Sequence, residues 1–114
     1  FLVKKDVQFI EKIHQVIEEN LDNSDFNIDT IASTIGLSRS AFFKKLKSLT
    51  GFAPVDLVKE IRLNKSIELI KNSDMSISEI AFAVGFKDSG YFSKCFRKKY
   101  DQTPREYMNE WRKG

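Results

Sequence analysis

The sequence predicts an all-α fold of seven helices, and three observations predict it. Apolar residues recur at helical spacing along the chain, and strand-like alternation is almost absent. Glycines stand where the periodic runs end, and the two prolines, Pro54 and Pro104, stand where two of them begin. The pattern seen between about residues 28 and 51 returns roughly fifty residues later.

The elements follow in order. Val7, Ile10, Ile13, Val16 (or Ile17) and Leu21 form a first amphipathic run, closed by the polar cluster from Asn20 to Asp25. Ile28, Ile31, Ala32 and Ile35 share one face of a second helix, which Gly36 stops. Ser38 or Ser40 caps a third, with Phe42, Leu46 and Leu49 inward and Gly51 at its end. Pro54 opens a longer helix reaching about Lys71, broken by Asn72-Ser73-Asp74. Ser76 or Ser78 caps a short helix with Ile77, Ile80, Ala81 and Val84 inward, and Gly85 stops it. A helix from about Ser89 to Tyr100 turns Phe92 and Phe96 inward. In the last helix Thr103 is the cap, Pro104 the first residue and Glu106 the answering carboxylate, and the helix runs to about Arg112.

The repeat is the most informative feature. Ile28, Ile31, Ala32, Ile35 and Gly36 recur as Ile77, Ile80, Ala81, Val84 and Gly85, a shift of 49. Beyond the turn the shift becomes 50: Phe42, Lys44, Leu46, Lys47, Pro54 and Asp56 recur as Phe92, Lys94, Phe96, Arg97, Pro104 and Glu106. The one-residue change falls in the turn, where an insertion costs least. Each unit is a short helix with a buried Ala, a Gly turn and a longer helix. That is the pattern of a helix-turn-helix, whose second helix can enter a DNA major groove. The seven helices therefore form two helix-turn-helix subdomains joined by a long linking helix. About 18 residues at about 1.5 Å each make that helix a rod of roughly 27 Å, near the roughly 34 Å of one DNA turn.

Charge follows the repeat. The chain has 114 residues, 19 Lys and Arg, 16 Asp and Glu, and a formal net charge of +3. Ser38 to Thr50 holds four cations and no acid, and Phe86 to Tyr100 five cations and one acid. The first 25 residues hold three cations and six acids. A basic stripe on both second helices is the footprint of phosphate contact. Lysines that merely solvate exposed faces are the alternative, and it leaves the missing acids unexplained.

Other classes find little support. No run approaches the roughly 18 apolar residues of a membrane span, and no signal peptide is visible before Lys4 and Lys5. One cysteine, Cys95, makes no internal disulfide, which fits a reducing compartment. With His14 it is too little for a closed zinc site, so no metal is expected. There is no nucleophile–base pair, no paired catalytic carboxylates and no glycine-rich phosphate loop. No catalytic residue, enzyme activity or cofactor is expected. The chain begins with Phe1, and is expected to be a piece of a longer protein.

From Ile28 to Tyr107 the chain resembles the DNA-binding domain of AraC/XylS-type transcription regulators. The second unit carries the likeness most closely, in Ile77-Ser78-Glu79-Ile80-Ala81, Val84-Gly85-Phe86, Ser89 to Lys98, Thr103-Pro104 and Tyr107. The first unit shows it in Ile31-Ala32, Gly36-Leu37-Ser38, Phe42, Leu46-Lys47 and Thr50-Gly51. Two positions depart from the family: Asp101 stands where Gly is frequent, and Ala41 where aromatic or small polar residues are common.

The resemblance implies base-reading positions at Ser40, Phe43, Lys44 and Lys47 on the first recognition helix, and at Gly90, Tyr91, Ser93 and Lys94 on the second. Lys44 and Lys94 can each donate to guanine O6 and N7. Phe43 and Tyr91 can touch a thymine methyl, with packing on its own helix the alternative for Phe43. Arg39, Lys45, Arg97, Lys98 and Lys99 are cast as phosphate contacts, joined by backbone N–H groups at the helix starts near Ser38 and Ser78. The N-terminal helix is similar to the segment preceding this domain in hybrid two-component sensor-regulators. There the parent carries histidine kinase activity upstream. An acidic cap helix covering the bundle is the alternative.

The expected organisation is an N-terminal acidic helix (1–25), a first helix-turn-helix unit (26–53), the linking helix (54–73), and a second unit with the C-terminal helix (74–114). Together they form one DNA-binding domain. The expected function is sequence-specific binding of double-stranded DNA for transcription regulation, with two recognition helices in successive major-groove segments. The alternative is a basic helical module that binds an acidic protein partner. RNA polymerase, and a homodimer formed through the parent protein, are further partners this reading admits; a small-molecule ligand of this domain is not. The expected compartment is the cytoplasm, whether or not the parent is membrane-anchored. His14 is expected partly exposed, Cys95 a small residue on the second recognition helix, Trp111 a packing anchor, and Phe82 packed against the linking helix.

Overall fold

The computed structural model describes residues 3–23 and 25–113. Phe1 and Leu2 at the head of the expected acidic segment, Ser24 in its closing turn, and Gly114 lie outside the described residues. Among the described residues there are seven helices and no strand: α1 (Lys4–Glu19), α2 (Ile28–Ile35), α3 (Arg39–Thr50), α4 (Pro54–Asn72), α5 (Ile77–Ala83), α6 (Ser89–Tyr100) and α7 (Pro104–Arg112).

Local chemistry sets the ends. Asn27 caps α2 by accepting from the Thr30 N–H, and Ser38 caps α3 by accepting from the Ala41 N–H. Ser76 and Glu79 close a reciprocal capping box at α5, and Thr103 and Glu106 another at α7. Of the two serines open as caps at each site, the structure selects Ser38 and Ser76. The repeat reappears in the helix stops. Leu37 N–H donates to Ala32 O and Phe86 N–H to Ala81 O, each at 2.9 Å, while Gly36 and Gly85 adopt φ of +85° and +96°. These are equivalent residues closing equivalent helices by the same bond.

The chain divides into two compact units, one of Phe1–Asn20 and Asp25–Ile61, the other of Leu21–Ser24 and Arg62–Gly114. In the first, α1 packs on α2 and α2 on α3. Phe9, Ile13, Ile31, Phe42 and Leu46 are buried there. The α1 stripe is rotated from the expected one: Val7 is exposed and Ile10 half-buried, while Phe9 lies inside. The Phe9 ring meets Phe42 edge-on at 6.4 Å, a contact of more apolar area than a valine offers.

In the second unit α5 packs on α6 and α6 on α7. Phe86, Phe92, Phe96 and Tyr107 make a chain of edge-to-face rings with centroids 5.3, 5.8 and 5.8 Å apart. Arg112 joins α7 to the end of α4, donating to the carbonyls of Leu69, Ile70 and Met75. Two expected packing residues are corrected. Trp111 is 52% exposed, with its ring beside Tyr107 and the Lys71 ammonium 4.3 Å above it. Phe82 is 54% exposed, because the seven-residue α5 turns Ile80 and Ala81 inward and leaves Phe82 outside. His14 is exposed and Cys95 buried.

Candidate nucleic-acid interface

On α3 the buried residues are Phe42 and Leu46. At about 3.6 residues per turn, Ser40, Lys44 and Lys47 fall on the face away from them, and all three are exposed. Phe43 flanks that face and is 47% exposed, which favours outward presentation over packing on its own helix. Ser48 is also exposed on this side. Its repeat partner is Lys98, so the repeat itself signals a position that sequence reasoning left out.

On α6 the buried residues are Phe92, Cys95 and Phe96. The opposite face carries Gly90, Lys94, Arg97 and Lys98, all exposed. Lys94 stands where Lys44 stands in the first unit, and Arg97 where Lys47 stands. Tyr91 is 50% exposed and leans on Phe86 at 6.0 Å between centroids, and Ser93 is half-buried. Gly90 has a local reason to be glycine. Its N–H donates to Asp88 Oδ1 at 2.8 Å, and a Cβ there would stand 3.2 Å from that same oxygen.

The expected phosphate set divides. Arg39 is exposed and pairs with Asp29 at 3.5 Å. Lys45 is exposed and folds back, its ammonium 4.3 Å above the Phe9 ring. Lys99 is half-buried, on the stripe of Phe92 and Phe96, and donates to Asn64 Oδ1 at 2.7 Å. Ser38 leads α3, its hydroxyl engaged by the Ala41 N–H. Ser78 is not a helix start: it is the second residue of α5, whose cap is Ser76. There the Ser76 N–H already donates to Glu79 at 2.8 Å. Hydrogen bonds from Ser76, first from its backbone, hold the Glu79 carboxyl below the usual glutamate range, so this end already carries a negative charge.

Two helices thus present like basic faces at a shift of 50, each behind a short helix and a glycine turn. A family model described as a helix-turn-helix domain matches residues 31–110. The chain belongs to the AraC-type helix-turn-helix family. An AraC-type transcriptional regulator from Chromobacterium violaceum superimposes with a TM-score of 0.85 at 27% identity, covering 95% of this chain and 96% of that one. The DNA-binding domain of AdpA, solved with a target DNA, gives 0.83 at 28% identity, covering 92% and 93%. Among curated relatives, Histidine kinase P4 of Formosa agariphila is 38% identical over 106 residues, 93% of this chain. The regulator MtrA of Neisseria gonorrhoeae is 34% identical over 98 residues, 86% of this chain. The chain spans 8% of the length of the first and 32% of the second. The kinase in the first name concerns a much longer polypeptide. Among the described residues no helix is long and apolar enough to cross a membrane.

Proposed function

We propose that this AraC-type domain reads double-stranded DNA through α3 and α6, placed in successive major-groove segments, to regulate transcription. The observation that carries this is the recurrence of one outward basic face, Lys44 with Lys47 and Lys94 with Arg97, on two equivalent helices. Sequence-specific DNA binding is the activity of the family, and the AdpA domain of like fold was solved on its target DNA. Ser40, Phe43, Lys44 and Lys47, with Gly90, Tyr91, Ser93 and Lys94, are the base-reading set. A lysine ammonium suits guanine O6 and N7, and an aromatic edge suits a thymine methyl. Arg39, Lys45, Arg97 and Lys98, with the N–H groups behind Ser38, hold phosphates and fix register. The domain serves a longer regulator with an upstream histidine kinase, acting in the cytoplasm. RNA polymerase and a second copy of the chain are partners of that longer protein.

The test is selection of bound duplexes from a random pool at about 150 mM salt, where specificity is meaningful. Two enriched blocks about one turn apart are expected. One block means that a single helix reads bases. No retained DNA sinks the reading and favours an acidic protein partner.

A further inference from the structure

Lys99 sits where a lysine is out of place. It lies three residues after Phe96 and seven after Phe92, on the stripe that α6 buries. In the first unit the equivalent position holds Leu49, an apolar residue on the same stripe of α3. The half-buried stem of Lys99 runs along that stripe and carries its ammonium out to an acceptor at the surface.

The acceptor is Asn64 of α4. Its side-chain carbonyl takes the Lys99 ammonium at 2.7 Å and the Tyr100 hydroxyl at 3.1 Å. Lys99 has donors only, so the Asn64 oxygen, not its NH2, must face it. The Lys99 ammonium also lies 5.1 Å from the centre of the Tyr100 ring. The last turn of α6 is therefore tied to α4 by one oxygen gripping two consecutive residues.

We propose that Asn64 is a positioning residue for DNA reading, a polar clamp that sets α6 through Lys99 and Tyr100, and that Lys99 acts on Asn64 instead of on a phosphate. The proposal rests on α6 reading DNA. The clamp stands, in the second unit, at the position where the first unit has the apolar Leu49. Orientation of a reading helix matters because base contacts tolerate little displacement, whereas phosphate contacts made by long side chains adapt.

The experiment compares wild type, Asn64→Leu, Asn64→Asp and Lys99→Met by duplex selection from a random pool, with salt titration on the wild-type consensus. Lys44→Ala and Lys94→Ala assign the two blocks to α3 and α6. Asn64→Leu keeps size and removes the acceptor; Asn64→Asp keeps the acceptor. In Asn64→Leu the α6 block is expected to blur, its discrimination falling about tenfold, the scale of one well-placed base contact. The α3 block stays sharp, and Asn64→Asp retains both. Lys99→Met is expected to blur the same block with its salt slope unchanged. A slope reduced by about one with preference intact would make Lys99 a phosphate contact and overturn the clamp. So would a wild-type motif from Asn64→Leu, equal loss from Asn64→Asp, or both blocks weakening together with a lowered melting temperature. If wild type retains no DNA, the DNA reading falls and takes the clamp's role with it. Enrichment by wild type with an unchanged Asn64→Leu motif sinks the clamp alone.

Discussion

Gly85 lies so close to Arg62 that a Cβ on residue 85 would stand 2.8 Å from both Cζ and Nε of that guanidinium. The same Cβ would collide with the backbone carbonyl of Leu21. Two nitrogens of Arg62, Nε and Nη2, are buried without a hydrogen-bond partner among the described residues, and this burial pushes the guanidinium pKa down from its ordinary value. The repeat partner Gly36 has the same left-handed backbone and nothing within 4 Å of its virtual Cβ. Equivalent glycines are thus held by different constraints.

Gly36→Ala is expected to cost only the left-handed backbone penalty, about 1–2 kcal/mol. Gly85→Ala adds overpacking against a carbonyl that cannot swing aside, for a total of about 3 kcal/mol or more. Urea unfolding of both variants checks this. Equal midpoint shifts would show that crowding at Gly85 is relieved elsewhere.

Asp101 is the one non-glycine residue with positive φ among the described residues, at +60°, and it ends α6 as Gly51, at +80°, ends α3. The expected departure from the family at this position leaves the turn intact, because aspartate tolerates this region better than most side chains. Asp101→Gly is expected to raise stability by about 0.5–1 kcal/mol, read as a higher melting temperature. A lowered one would assign the carboxylate a stabilising role of its own.

Lys94→Ala is expected to cost about 1–3 kcal/mol in affinity and to relax base preference at one position of the α6 block. Lys98→Ala is expected to weaken all duplexes alike and to reduce the salt slope by about one. Binding to consensus and single-mismatch duplexes over a salt series separates the two. Exchanged behaviour would reverse their roles.

Acid is expected to loosen α7. Hydrogen bonds from Thr103, first from its backbone N–H, hold the Glu106 carboxyl below the usual glutamate range, with Arg97 a smaller aid. A carboxylate depressed in the folded state stabilises above its unfolded pKa, and that contribution fades as pH falls through the folded value. Stability should therefore drop on acidification below about pH 4.5, with the drop shallower in Glu106→Gln, which keeps an acceptor but cannot titrate. Parallel pH profiles of melting for wild type and Glu106→Gln would remove Glu106 from the acid response.

Much of this was legible in order along the chain. The bounds of α6 and α7, the glycine stops, the Thr103–Glu106 box and the two basic faces all depend on residues within one or two turns of each other. Capping, positive φ and helical periodicity are local, so they are written in local spacing. The face of α1 was less legible. Val7, Ile10 and Phe9 are all apolar, and periodicity alone does not choose among neighbouring stripes.

By itself, then, the sequence determined an all-helical chain, its doubled helix–turn–helix and which helices carry uncompensated cations. Tertiary structure decided which cations meet a partner within the protein. Lys45 meets Phe9, and Lys99 meets Asn64 from 35 residues away. It also decided which glycine is crowded and which merely bent. The physical reason is distance along the chain: a side chain's partner across the fold leaves no mark in the spacing of its own helix.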